Sequence, residues 1–252
     1  MSDTIALITG GNRGLGRATA SALADAGVDI VITYRSNAQE AADVVADLTA
    51  RGRKAAALQL DTGVVGSFAP FVSELRTVLA DVWGRDSFDY LVNNAGHAAS
   101  GAFADITEEQ LDGLIDVHFK GVFFLTQALL PVIADGGRIV NLSSGLARFV
   151  RPTQSAYASV KGAVEVLSRY LASELGPRGI TVNVVAPGPI GTDFGGGYLR
   201  DNQQMREALA SDTALGRVGE PDDIGGLIAT VLTGATGWMT GQRIEVSGGS
   251  LL

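Results

Sequence analysis

The chain contains no cysteine and only two histidines among its 252 residues. Without cysteine it can form no disulfide, iron–sulfur cluster or thiolate zinc site, and it has no thiol nucleophile. His97 and His118 are too few for a three-histidine metal site, so we expect no bound metal. Charged residues make up only 18%, with a net charge of −8. This balance argues against nucleic acid as a partner, because phosphate contacts need lysine and arginine.

Long apolar runs are also missing. A membrane-spanning helix needs roughly 18 or more apolar residues, and the best candidate, residues 122–134, is interrupted by Gln127 and Pro131. The first three residues, Met1-Ser2-Asp3, lack the basic and apolar regions of a signal peptide. We therefore expect a soluble, cytoplasmic protein that does not bind membranes.

Short β-branched runs alternate with helical stretches along the whole chain, which is typical of βαβ units. We predict an α/β fold in which residues 1–252 form a single doubly wound Rossmann domain. Its parallel sheet has about seven strands and is flanked by helices on both faces. Residues 188–211 are glycine-rich and weakly patterned, so we predict a substrate lid there. The predicted strands are residues 4–9, 29–34, 54–60, 89–93, 138–142, 181–185 and 243–246.

A glycine-rich loop, Thr-Gly-Gly-Asn-Arg-Gly-Leu-Gly at residues 9–16, follows the first predicted strand and precedes a helical stretch from Arg17. Glycines let backbone N–H groups approach a pyrophosphate at the helix N-terminus. Such loops also form ordinary tight turns, but this position in the first βαβ unit favours a dinucleotide site. The candidate cofactor residues in the loop are Gly10, Asn12, Arg13, Gly14, Leu15 and Gly16.

The end of the second predicted strand favours a phosphorylated cofactor. A site for NAD(H) usually carries an acidic residue about 20 residues after the loop. Here Tyr34, Arg35 and Ser36 occupy that place, and no acid is near. Arg35 and Arg13 could bind the 2′-phosphate of NADP(H) through charge-assisted hydrogen bonds, although both could also be solvated surface arginines. We predict NADP(H) as the cofactor.

A tyrosine, a lysine and a pair of serines are the candidate catalytic groups. Tyr157 and Lys161 lie four residues apart in the helical stretch 155–176 and therefore share one helix face. An ammonium beside a phenol favours the phenolate, so we expect Lys161 to lower the pKa of Tyr157. Ser143 and Ser144 follow a predicted strand, where ligands bind in open α/β sheets. On chemistry alone either serine could react, and a surface Tyr–Lys pair or an ordinary turn would leave the same pattern.

Together these residues resemble the short-chain dehydrogenase/reductase family, and in particular its members similar to 3-oxoacyl-[acyl-carrier-protein] reductase. The resemblance covers essentially the whole chain. It is the spacing in this family that selects Ser144 over Ser143. The matching segments are residues 9–16, Asp61, Asn93-Asn94-Ala95-Gly96, Ser144, Tyr157 with Lys161, residues 187–192 (Pro-Gly-Pro-Ile-Gly-Thr), Gly241-Gln242 and Ser247-Gly248-Gly249.

The resemblance implies the cofactor contacts and the mechanism. A nicotinamide would deliver hydride to a carbonyl carbon while Tyr157 gives a proton to the developing alkoxide. Ser144 would hydrogen-bond the same oxygen, and Lys161 would lower the pKa of the tyrosine and bind the ribose. Arginines at the positions of Arg13 and Arg35 are similar to those of NADP(H)-preferring members. The further implied cofactor residues are Asp61 with Thr62 near the adenine, Asn93, Ala95 and Gly96 along the cofactor, Ile190 and Thr192 at the nicotinamide amide, and Pro187 with Gly188.

One position departs from the family. Where relatives usually place an asparagine that helps hold a proton-relay water, this chain has His118. Its spacing places it on the apolar face of its helix, where a histidine is often a packed core residue. A neutral imidazole can also donate and accept, so His118 could hold the same water. Burial and the charge of Lys161 should keep it neutral.

The sequence leaves the activity and substrate partly open. The main prediction is NADPH-dependent reduction of a carbonyl in a small molecule, of the ketone or 3-oxoacyl type. A non-catalytic NADP(H)-binding sensor or scaffold is the alternative. Arg148 and Arg151 could meet a phosphopantetheine or an acidic carrier protein, or could be solvated. The resemblance implies a homo-oligomer, either a tetramer or a dimer paired through two long helices.

Overall fold

The computed structural model describes residues 4–252 and contains a seven-stranded parallel sheet. The strands lie in the order β3-β2-β1-β4-β5-β6-β7, so the chain reverses its direction of winding beside β1. The predicted α/β fold is confirmed. Residues 1–3, where we predicted no signal peptide, lie outside the described residues. The strands are β1 (Ile5–Ile8), β2 (Asp29–Tyr34), β3 (Ala55–Gln59), β4 (Phe88–Asn93), β5 (Ile133–Leu142), β6 (Thr181–Pro187) and β7 (Arg243–Val246).

Helices connect the strands and cover both faces of the sheet. Alternate residues of β1 show the two layers, since Ile5 and Leu7 enter one core cluster while Ala6 and Ile8 enter the other. Helices α3, α5 and α6 pack on the first face, and α1, α2 and α9 pack on the second. The helices are α1 (Gly14–Asp25), α2 (Ala38–Ala50), α3 (Phe68–Trp83), α4 (Glu108–Ile115), α5 (Gly121–Leu129), α6 (Ser155–Leu175), α7 (Tyr198–Asp201), α8 (Gln203–Ser211) and α9 (Pro221–Thr233).

The strand predictions agree with the structure except at β5, which begins five residues before the predicted start at 138. Ile133 pairs with Phe88, and after a shift in register Arg138 pairs with Tyr90. Gly136, with a φ of 78°, and Gly137 lie within this irregular stretch. Glycine is depleted in regular strands, so the sequence pattern hid the first half of β5.

Residues 188–211 contain a short 3-10 turn (Phe194–Gly197) followed by α7 and α8. This segment lies next to the carboxyl end of β6, and its role as a lid stays a prediction. Within residues 4–252, no helix combines the length and apolar character that crossing a lipid bilayer requires.

Candidate active site

A cavity of about 580 Å³ opens at the carboxyl ends of the central strands. The loops after β1, β2, β3, β4, β5 and β6 all contribute to its wall, as expected beside the reversal in strand order. The predicted site residues that line it are Gly10, Asn12, Arg13, Gly14, Leu15, Arg35, Ser36, Asp61, Thr62, Ala95, Gly96, His118, Ser144, Tyr157, Lys161, Pro187, Gly188, Ile190 and Thr192.

Three predicted cofactor residues lie behind the cavity wall instead of on it. A Cβ at Gly16 would collide with the Gly10 carbonyl, so this glycine allows α1 to pack closely on the loop. Asn93 is buried, and its Nδ2 donates to Thr126 Oγ1 at 3.0 Å and to Asn141 Oδ1 at 2.8 Å. Tyr34 packs against the core cluster under α1, α2 and α9. These three residues support the cavity wall, and their direct contacts with the cofactor stay a prediction.

The glycine loop is fixed to the end of β4. Asn94 Nδ2 donates to the carbonyl oxygens of Thr9 and Gly10 at 2.9 and 3.1 Å, and Thr9 Oγ1 accepts from the Asn94 and Ala95 amides. Gly10 and Gly14 have φ angles of 63° and 53°, a left-handed conformation that favours glycine. Arg13 directly precedes α1, and its side chain does not cap the helix, so the first amides of α1 remain available to an anion.

The region beyond β2 contains a carboxylate, that of Glu40, which the sequence pattern did not predict. Arg13, Arg35 and Ser36 line the cavity as predicted, but so does Glu40, in the first turn of α2. Its Oε2 accepts a hydrogen bond of 2.7 Å from Asn12 Nδ2. The prediction that no acidic residue is near was wrong, because the first turn of α2 brings Glu40 next to Asn12 of the glycine loop. An anionic ligand there meets two guanidinium groups and one carboxylate.

Tyr157 and Lys161 are both buried at the inner end of the cavity. Burial raises the pKa of Tyr157 above its usual value, and a hydrogen bond with Ser144 offsets this only in part. Lys161 Nζ donates to the Leu142 carbonyl at 2.8 Å and lies 5.6 Å from the Tyr157 ring centre. Burial lowers the pKa of Lys161 to about 7. The expected lowering of the Tyr157 pKa by Lys161 is thus wrong for this structure, since burial raises this pKa and Ser144 is the group that lowers it in part.

The two serines have different partners. Ser143 Oγ donates to Glu165 Oε1 on α6 at 2.6 Å. Ser144 Oγ accepts from the Leu146 amide at 3.2 Å and lies close enough to Tyr157 to lower the pKa of that phenol. Glu165 also accepts a 2.7 Å hydrogen bond from Arg243 Nε on β7, so its carboxylate holds Ser143 in place. The geometry therefore favours Ser144 as the reacting hydroxyl. Glu165 and Arg243 belong to no motif in the sequence, and only the fold brings them together.

His118 lies in a π-helical turn (Asp116–Lys120) between α4 and α5 and is buried. Its Nε2 lies 2.7 Å from the His97 carbonyl and 3.2 Å from the His97 amide. The shorter contact indicates that Nε2 carries the proton, which leaves Nδ1 as an acceptor with no hydrogen-bond partner among residues 4–252. Burial, followed by the charge of Lys161, lowers the pKa of His118 well below its usual value, as expected. The ring packs edge-on against Tyr157, with centres 5.4 Å apart.

Among the described residues, no group of three or more histidine, aspartate or glutamate side chains is placed to hold a metal ion. The chemistry that the cavity offers is instead that of its hydroxyl groups, its buried amine and its imidazole.

Comparisons with known proteins agree with this geometry. The sequence profile of the family described as Enoyl-(Acyl carrier protein) reductase matches residues 10–250. A 3-oxoacyl-[acyl-carrier-protein] reductase of Synechocystis is 35% identical over 98% of this chain and 97% of that protein.

Two solved structures are similar over nearly their whole length. LugOII, described as a promiscuous reductase that catalyses keto-reduction at C1 during lugdunomycin biosynthesis, superposes with a TM-score of 0.93. It is 39% identical, covering 99% of this chain and 98% of its own. The angucycline C-6 ketoreductase LanV with bound NADP also gives a TM-score of 0.93, at 38% identity over 98% and 95% of the two chains.

Proposed function

Because the chain belongs to the Enoyl-(Acyl carrier protein) reductase family of short-chain dehydrogenases/reductases, we propose that it reduces the carbonyl group of a small molecule with NADPH. The observation that carries this proposal is the placement of Tyr157 beside Ser144, close enough for the serine to lower the pKa of the tyrosine, in a cavity of about 580 Å³ that the glycine loop also lines. Two hydroxyls that meet at one point suit an oxygen that gains charge during the reaction. The keto-reductions named for LugOII and LanV support C=O over C=C reduction.

The cavity residues fit NADPH. No side chain caps the first amides of α1, so they can donate to the pyrophosphate. Gly14 keeps the cavity wide beside them, because a Cβ at this position would lie 3.8 Å from Thr192. Arg13 and Arg35 suit the 2′-phosphate. Asp61 and Thr62 would contact the adenine end, while Ala95, Gly96, Pro187, Gly188, Ile190 and Thr192 would line the path to the nicotinamide.

The protein residues supply the proton and hold the substrate oxygen. When bound, NADPH supplies a hydride to the carbonyl carbon. Tyr157 keeps its proton at neutral pH, because burial raises its pKa, and gives it to the carbonyl oxygen as the C–O bond becomes single. Ser144 donates to the same oxygen and stabilises its charge. Lys161 lies one helical turn from Tyr157, where it can bind the ribose hydroxyls.

His118 acts as a positioning residue in this scheme. Its Nε2 connects the π-helical turn to the His97 backbone, and Gly96 is so close that a Cβ there would collide with the imidazole ring. The ring therefore supports the cavity wall formed by residues 94–98. The unpartnered Nδ1 is the one atom of His118 that could accept a hydrogen bond from a relay water.

The proposal is tested by following the loss of NADPH absorbance with a panel of ketones. Tyr157→Phe keeps the ring but removes the proton, so kcat should fall at least about a hundredfold while NADPH still binds. Near-normal turnover in this variant would refute the assigned acid. The alternative, a sensor or scaffold, would bind NADPH in calorimetry and turn over no ketone.

Assembly and location complete the proposal. We place the protein in the cytoplasm as a homo-oligomer, either a dimer or a tetramer, paired through α5 and α6. Exposed apolar side chains on both helices support this pairing: Phe123 and Phe124 on α5, and Val166 and Tyr170 on α6. Single exposed hydrophobics are ordinary, but several on adjacent helices are typical of an interface. Sedimentation of the wild type and of Tyr170→Glu would test the pairing, and cell fractionation would test the location.

A further inference from the structure

The wall of the cavity around Tyr157 includes several apolar side chains and an aromatic ring. The Phe194 ring lies 5.9 Å from the Tyr157 ring, at an interplanar angle of 58°. Its side chain remains 43% exposed although it lines the cavity. Ala98, Leu146 and Leu199 are further apolar residues of the cavity wall. A molecule whose carbonyl reaches the Tyr157 hydroxyl therefore comes to lie against apolar surface, and Phe194 provides its largest flat face.

The backbone around Phe194 keeps the ring in this position. Gly195, Gly196 and Gly197 all have positive φ angles, of 64°, 76° and 78°, a conformation that other residues rarely adopt. These three glycines turn the chain sharply after Phe194. Gly195 also lies close to Ala98 of the cavity wall, since a Cβ at Gly195 would be 3.7 Å from Ala98 Cβ. The ring thus faces Tyr157 because the local backbone directs it there.

The two arginines near this end of the cavity each lie beside a carboxylate. Arg151 pairs with Asp212 at 3.0 Å, and Arg148 lies 3.5 Å from Glu245 and over the Phe149 ring. From their sequence positions, these two arginines could contact a phosphopantetheine or a carrier protein, or could be solvated. Both carry a carboxylate partner instead, and a net charge of −8 opposes an acidic carrier.

Asp193, the charged residue next to Phe194, also has a partner of opposite charge. Asp193 lines the cavity and is paired with Arg200. His97, also in the wall, has its pKa lowered, mainly by burial, which favours the neutral ring. Within the described residues, this part of the cavity therefore presents apolar and neutral polar groups to its ligand.

We propose that the substrate is an uncharged, flat aromatic ketone whose ring stacks on Phe194, and that it is not a thioester held on phosphopantetheine. This inference rests on the proposed carbonyl reduction and names its substrate class. Phe194 is the specificity-determining residue, since an aromatic pair gains an attraction that a saturated ring of equal size lacks.

The kinetic test compares two ketones with the same carbon skeleton, 2-tetralone and its saturated analogue 2-decalone, alongside acetoacetyl-CoA. The wild type should reduce 2-tetralone with the highest kcat/KM. In Phe194→Leu, the ratio of kcat/KM for 2-tetralone to that for 2-decalone should fall roughly two- to tenfold, mostly through KM, as expected for one aromatic contact. Phe103→Leu is the matched control, since Phe103 is exposed outside the cavity wall, and its ratio should stay at the wild-type value.

A binding test is independent of turnover. Calorimetry should detect 2-naphthol binding to the wild type and to Phe103→Leu, in the presence and absence of NADP⁺, with weaker binding to Phe194→Leu. A higher kcat/KM for acetoacetyl-CoA than for 2-tetralone, or an unchanged ratio in Phe194→Leu, would overturn the inference. If no ketone is reduced, the proposed function fails, and 2-naphthol binding alone then decides whether the aromatic site exists. Equal binding of 2-naphthol by all three proteins would refute it.

Discussion

Replacing His118 by leucine separates its positioning role from simple packing. The substitution removes Nε2, which donates to the His97 carbonyl. A buried polar group without a partner costs about 1–3 kcal/mol. Two factors limit this cost: His97 is only half-buried, and the change also removes the unpartnered Nδ1. We therefore expect the free energy of unfolding to fall by about 1–3 kcal/mol, which lowers Tm by roughly 2–12 °C in a chain of this size.

The same substitution should also lower kcat in the folded protein, beyond any loss that results from reduced stability. His97 belongs to the cavity wall, and Gly96 beside it contacts the imidazole ring. If the wall relaxes, the substrate oxygen and Tyr157 lose their alignment, and misplacement by about 1 Å can cost on the order of a hundredfold. We expect His118→Leu to lose about tenfold or more in kcat at temperatures where it is fully folded.

His118→Gln is the conservative control. The glutamine side-chain amide reaches about as far as Nε2 of the histidine, and it can donate to the His97 carbonyl. It should restore most of the kcat and most of the Tm. Because the wild-type His118 is neutral at pH 7, the pH–rate profile of this variant should match that of the wild type.

Two outcomes would refute this reasoning. Wild-type kcat in a His118→Leu protein with a lowered Tm would mean that His118 only packs. Equal loss of kcat in the leucine and glutamine variants, both folded, would mean that the imidazole itself is required, with Nδ1 holding a water as the remaining explanation.

Three further predictions concern the serines, cofactor choice and pH. Ser144→Ala should lower kcat by on the order of tenfold to a thousandfold in steady-state assays, the range for one lost donor to the oxyanion, whereas Ser143→Ala should cost less. Arg35→Asp should lower kcat/KM for NADPH about tenfold or more, while Glu40→Gln should raise the preference for NADPH over NADH by removing a charge near the 2′-phosphate. Burial lowers the pKa of Lys161 from 10.5 to about 7, so the folded chain binds fewer protons than the unfolded chain between these values. In denaturant titrations, the wild type should therefore gain stability relative to Lys161→Met from pH 7 to pH 9.

The fold could be predicted from the sequence because its signals are local. Six of the seven strands lie within about two residues of their predicted bounds, since continuous apolar runs between helical stretches mark strands covered on both faces. Thr107 and Gln110 form a capping box at the start of α4, and Pro221 is the first residue of α9, as their sequence positions indicate. The early start of β5 was missed because Gly136 and Gly137 interrupt the apolar pattern.

The positions in the candidate site could be predicted, but not the contacts that give them their chemistry. The resemblance to the family selected Ser144 and Tyr157 as the candidate catalytic residues. The sequence could not show that Ser143 is held by Glu165, or that Glu40 turns back to Asn12, because these contacts join residues that are distant in the chain. The direction of the pKa shifts depends on burial, which only the packed structure determines.

The pKa shifts and the ion pairs around the cavity lead to one consequence for the substrate. Burial favours the protonated phenol of Tyr157 and the neutral imidazole of His118, and it leaves Lys161 with a pKa of about 7. Each shift reduces the charge at the catalytic end, because an ion pays a desolvation cost there that its partners do not fully offset. A charged substrate would pay the same cost, whereas an uncharged ketone would not. Tyr157 then gives up its proton only as charge develops on the substrate oxygen, next to Ser144. The free-energy cost of placing charge in this site therefore arises in the transition state, where these two residues stabilise that charge, and not on substrate binding.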